Sequence, residues 1–99
     1  MTSSYGKATF DVLAERNRQV CDEGYSTAHD DKLVGAQLAM GAAAYALSAA
    51  GEEETALEVW RKAGFKAEDF KSDDDVRRKM VKSASMAIAE IQRYDRLPK

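Results

Sequence analysis

The stretch ERNRQVCDEGYSTAHDD, from Glu15 to Asp31, crowds carboxylates and guanidinium groups around the chain's only His, and it runs into the alanine-rich LAMGAAAYALSAA. On a helix, Glu15, Gln19 and Glu23 stand one turn apart on one face, and Arg18 with Asp22 forms an adjacent i,i+4 pair. A row of acids at that spacing can hold a divalent cation through oxygen, the ligand magnesium requires. Asp30 and Asp31 could add oxygens to such a site, with His29 as acid, base or ligand near neutral pH. The same residues also read without a ligand. Ion pairs on a helix face are common and contribute only about 0.3–0.5 kcal/mol each, and Asp30 or Asp31 can cap a following helix and favour its positive end. A zinc site would want more His and Cys than the one of each present. Cys21 lies beside an apolar stripe, lacks an orienting third group for nucleophilic work with His29, and reads as a filler thiol.

A second polar edge follows near the C-terminus, where Lys82, Met86, Glu90 and Arg93 fall at i, i+4, i+8 and i+11. Lys82 and Arg93 could meet phosphate or carboxylate, or the edge could close an ion-pair seam against the acids of the first helix. Tyr25, Tyr45, Trp60 and Tyr94 are amphipathic rings able to stack on a base or fill an interface. Trp60 reads as core, and Tyr25, after Gly24 in a polar connection, as the better ligand residue. No glycine-rich phosphate loop, nucleophile elbow or paired-cysteine motif is present. No complete catalytic signature is present, and enzymatic activity is the less favoured reading.

Helices must position these groups. Ser3 or Ser4 can cap a first helix with an apolar stripe of Phe10, Leu13 and Val20, in which Asn17 is the polar member, and Gly24 should end it. A second helix is expected from about Lys32 to Ala50. There Gly35 and Gly41, with Ala39, Ala42, Ala43 and Ala46, form a small-residue surface for the closest helix contact. Gly51 is a stop. EEETALEVWRKAG reads as a shorter helix with acids in its first turn, basic residues in its last and Gly64 behind it. Phe65 and Phe70 should pin the next loop to the core. Ser72 and Asp75 resemble a capping box, opening a last helix to about Leu97 with a buried stripe of Val76, Met80, Ala84, Ala87, Ile91 and Tyr94. The expected architecture is one all-α domain over residues 1–99, a bundle of three main helices and one shorter helix that self-associates.

Composition narrows the function. The 99 residues are 44% hydrophobic and 32% charged, as in a soluble globular protein. A net charge of −2, from fifteen basic and seventeen acidic residues, argues against a duplex-DNA binder, which needs a basic footprint. One Cys allows no internal disulfide, so a cytoplasmic setting is expected. MTSSYGKATF lacks the basic start and apolar core of a secretion signal, and no apolar run approaches the ~20 residues that span a bilayer.

The order ERNRQ, EGY, HDD, LAMGAAAYAL and KSASMAIAEIQRYDR resembles a group of small bacteriophage and prophage proteins with the pattern E-R-x-R-Q, E-G-Y/W, H-D-D, an alanine-rich run and A-E-I-x-R-x-D-R. The likeness covers roughly Ala14–Ala50 and Arg77–Arg96. It picks out Glu15, Arg16, Arg18, Gln19, Glu23, Gly24, Tyr25, His29, Asp30, Asp31, Lys82, Glu90, Arg93, Asp95 and Arg96. The resemblance implies an accessory protein acting in the cytoplasm of a bacterial host, in counter-defence, by binding a host protein or sequestering an anionic nucleotide. Under that reading Arg16, Arg18, Gln19, Tyr25, His29, Lys82 and Arg93 contact the ligand, no cofactor is needed, and neither duplex DNA nor membrane is a partner. A second, weaker resemblance is to the all-helical MazG-like nucleotide pyrophosphohydrolases. It implies a magnesium-dependent hydrolase in which Glu15, Glu23, Asp30, Asp31 and Glu90 hold the metal.

Overall fold

The computed structural model describes residues 6–22 and 36–98. Among them are four α-helices and no strand: α1 (Gly6–Asp22), α2 (Gln37–Ala49), α3 (Glu53–Lys62) and α4 (Val76–Asp95), with a 3₁₀ turn at Ala67–Asp69. This is the all-α bundle of three longer helices and one shorter. None of the described helices is long and apolar enough to cross a membrane.

Short and specific turns set the order. Gly51 ends the α2–α3 link with φ +90° and Gly64 follows α3 with φ +97°, a backbone region that side chains with a Cβ resist. Gln37 at the start of α2 donates from Nε2 to the Ala63 carbonyl at 2.8 Å, tying the two helices together at that end. Acids Glu53 and Glu54 open α3 and Arg61 and Lys62 close it, so its charges match the helix dipole at both ends.

The core sits between α2, α3 and the loop that follows. Ala44, Tyr45, Ala56, Trp60 and Phe70 form its buried centre, with Phe65 and Met86 packed against it. Trp60 lies 4.5 Å from Phe65 and 5.1 Å from Phe70, and Tyr45 meets Trp60 edge-on at 5.6 Å, all between ring centroids. The polar ends of these rings are also used: Trp60 Nε1 donates to the Lys66 carbonyl at 2.7 Å, and Tyr45 Oη accepts from the Lys71 amide at 3.0 Å. The loop is therefore fastened by its two phenylalanines, as expected, and by two hydrogen bonds.

Helix α4 packs most extensively on α2, and Gly41 lies at that contact. A Cβ on Gly41 would collide with the methyl end of Met86 and press within 3.3 Å of the Phe65 ring. Beside it, Ser83 Oγ donates to the Ala42 carbonyl at 2.7 Å. The close approach thus uses Gly41 and Ala42, while Ala39 and Ala43 face solvent and Gly35 is outside the described residues. The N-cap of α4 is Asp75, whose carboxylate accepts the Arg78 amide at 2.7 Å. The helix therefore starts one turn after Ser72.

The apolar stripes of α1 and α4 run against expectation. Phe10 and Leu13 on α1 are 71% and 51% exposed, and Met80 and Ile91 on α4 are 47% and 61% exposed. Val20, Val76, Tyr94 and Leu97 are exposed as well. The inward face of α1 carries Glu15, Arg16 and Gln19, and that of α4 mixes Lys79, Ser83 and Ser85 with Val81 and Ala89. Replacing Asp75 by Ala should lower stability by about 1 kcal/mol through the lost cap, with Asp75→Asn retaining most of it, as read by urea unfolding.

Candidate functional site

Helix α1 carries no residue of the aromatic core, and α4 is its main neighbour. The contact is a charged and amide-bearing seam. Asp11 pairs with Arg77 at 2.9 Å, Glu15 with Arg78 at 2.6 Å, and Gln19 Nε2 donates to Ser85 Oγ at 3.0 Å. Partners rise together along both helices, so α1 and α4 lie parallel. From between Glu15 and Gln19, the long Arg16 side chain reaches farther up α4, where its Nε donates to Gln92 Oε1 at 3.2 Å.

Glu15 is the centre of the seam. Its side chain is 1% exposed, and four donors converge on its two oxygens. Arg18 Nε reaches Oε1 at 2.9 Å and Arg18 Nη2 reaches Oε2 at 2.7 Å, a two-pronged clasp. Arg78 takes Oε1 from the other helix, and Gln19 Nε2 adds a 3.2 Å contact to Oε2. Burial alone would raise the proton affinity of this carboxyl, but the Arg18 hydrogen bonds and the charges of Arg78 and Arg18 outweigh it and hold Glu15 below the usual Glu range. Asp11 is lowered in the same sense by hydrogen bonds from Lys7 and Arg77.

An open cleft of about 380 Å³ runs along this seam, lined by Asp11, Ala14, Glu15, Arg18, Asp75, Arg77, Arg78 and Val81. Its charged lining is three arginines against three carboxylates. The arginines contact carboxylates of the chain itself, so the cleft is not an anion funnel of one sign.

The other expected site residues are distributed. Lys82 Nζ binds the Asp74 carboxylate and lies over the Tyr45 ring, 5.5 Å from its centroid. Arg93 clasps Glu90 within α4 at 2.7 and 3.1 Å. Arg16, Arg18, Gln19 and Glu15 are thus brought together on the α1–α4 seam, while Lys82 is placed against α2 and the loop before α4. Glu23, Tyr25, His29, Asp30 and Asp31 lie outside the described residues, as does the side chain of Cys21. Among the described residues, no group of three or more His, Cys, Asp or Glu side chains is arranged to hold a metal ion. A magnesium ion at Glu15 would have to displace Arg18 and Arg78 from both oxygens, so this carboxylate does not fit the role of an open oxygen ligand.

A second buried cation was not anticipated. Lys79 Nζ binds Glu53 Oε1 at 2.8 Å, and Ser48 Oγ donates to both Glu53 oxygens at 2.8 Å. Lys79 and Ser48 together hold Glu53 below the usual Glu range. Arg78 and Ser85 were likewise missed as partners of the first helix. Their signal was the seven-residue spacing of Arg78 and Ser85, two helical turns, which sets both on one face of α4.

Comparison with protein-family models, with curated proteins and with solved structures returns no match. The reading of the site therefore rests on its own geometry.

Glu15→Gln should weaken the fold by about 2 kcal/mol, because it leaves Arg18 and Arg78 facing a neutral amide in a buried setting. Its stabilisation is complete above the ordinary Glu value of 4.5 and is lost as pH falls through the lowered value in the folded chain. Far-UV circular dichroism against pH should show a loss of helix in acid that Glu15→Gln flattens; an unchanged acid limb in the variant would contradict this role.

Proposed function

We propose that the protein is a phage- or prophage-derived accessory protein of the bacterial cytoplasm that self-associates and acts by binding a host protein, without chemistry of its own. One observation carries the reading. Of the cations expected to grip an anion, Arg18, Lys82 and Arg93 are engaged by carboxylates and Arg16 is bonded to Gln92, whereas large apolar side chains of α1 and α4 point outward. Exposed contiguous apolar surface on a small protein marks a face for another macromolecule. Interfaces between proteins draw on such side chains, and aromatic residues such as Phe10 and Tyr94 suit their centres.

The phage origin and a counter-defence role are supported by the resemblance of ERNRQ, HDD and AEIQRYDR to small phage proteins. Two apolar faces also fit the size of the chain: one serves contact between copies, leaving the other for the host partner. Phe10, Leu13 and Val20 on α1, with Asn17 among them, form the face assigned to the partner.

Native mass spectrometry of the full chain purified from bacteria tests this directly. The expected spectrum is an oligomer with no added mass of nucleotide size and no retained magnesium. A bound nucleotide that disappears on incubation with magnesium would replace this reading with hydrolysis, and one that persists would replace it with nucleotide sequestration.

A further inference from the structure

The outward face of α4 is built as its own complement. Reading along it, Met80, Ala84, Ala87 and Ile91 are spaced 4, 3 and 4 residues apart, the alternation of a coiled-coil seam. The order is large, small, small, large, and it reads the same in either direction from a point midway between Ala84 and Ala87. Reversing the helix therefore superposes the stripe on itself, the requirement for a two-fold interface in which residue i meets j and j meets i. Met80 and Ile91, the two large members, are both exposed, Ala87 is exposed too, and Ala84 is half-buried.

We propose that two copies of this chain pair through α4, antiparallel, about a two-fold axis passing between Ala84 and Ala87. This rests on the self-association in the proposed function and specifies its geometry. In that register Met80 of each copy packs on Ile91 of the other, and Ala84 packs on Ala87. The two small layers at the centre let the helix axes approach to about 8 Å, the near end of the usual range.

Charge supports the same orientation. Arg77 and Asp95 stand eighteen residues apart, five whole turns, so they share one edge of the stripe at its opposite ends. Antiparallel pairing sets each Arg77, which also pairs with Asp11 of its own chain, beside the other copy's Tyr94 and Asp95, bringing a cation, an aromatic face and a carboxylate together at both ends. A parallel pair would instead place Arg77 beside Arg77 and Asp95 beside Asp95. Like charges in those positions oppose pairing.

Two exposed positions give the test in the full chain with Cys21→Ser. In the antiparallel pair, Met80 of one copy and Met80 of the other are about 16 Å apart along the axis, beyond the reach of a disulfide. Neither Met80→Cys nor Ile91→Cys alone should then form a covalent dimer on oxidation, while the two variants co-expressed should give a Met80–Ile91 heterodisulfide identified by mass spectrometry. Cross-linking of Met80→Cys with itself, or none in the mixture, overturns the pairing while leaving self-association standing if light scattering still reports an oligomer. Ala87→Glu, at an exposed position in a single chain, should halve the mass of the paired species with helicity unchanged. A wild-type chain that is monomeric at 100 micromolar (roughly the range in which weak dimers form) overturns both the pairing and the self-association.

Discussion

A carboxylate held between two guanidinium groups joins the first helix to the rest of the molecule. Glu15 is out of contact with water, yet it is ionised, because Arg18 clasps it from the same helix and Arg78 from α4. An ionised group in that position without such partners would be strongly destabilising. The seam consequently fixes which way α1 turns. Once Glu15, Arg16 and Gln19 face α4, the helical period sends Phe10, Leu13 and Val20 the other way.

That rotation explains what was and was not legible in the sequence. The order of the helices, the glycine turns at 51 and 64, the core role of Trp60 and the close contact at Gly41 follow from period, caps and residue size, whereas two starts differ: α2, expected from about Lys32, begins at Gln37 after the N-cap Ala36, and α4 is capped by Asp75 rather than Ser72. Amphipathic periodicity also locates the stripes on α1 and α4 correctly as stripes. It does not say which face is inward, because the usual inference assumes that the apolar side is the buried one. Here the partnered charges of the α1–α4 seam share the inside with Val81 and Ala89, and Val76, Met80, Ile91 and Tyr94 stay outside. The partners Arg78 and Ser85 were hard to find because each is paired with residues more than sixty positions away.

The polar seam and the apolar exterior have opposite consequences for function. Buried ion pairs hold geometry more than they add net stability, and here they hold two parallel helices with their apolar faces turned out. Such a design supports the proposed role in contact with other chains. A pocket for an anionic ligand would instead leave arginines without carboxylate neighbours, whereas the cleft beside Glu15 has as many acids as bases along it. The C-terminal half, where α4 packs on α2 and the aromatic cluster, supplies a rigid base for this presentation.

The Glu15–Arg78 contact locks α1 onto α4. A double-mutant cycle measures it most directly: Glu15→Gln, Arg78→Met, the double variant and the parent, compared by urea unfolding at neutral pH. The expected coupling energy is about 1–3 kcal/mol, within the range for partners in one ion-pair network. Additive effects of the two substitutions would contradict it, since α1 would then be held in place by something other than this pair.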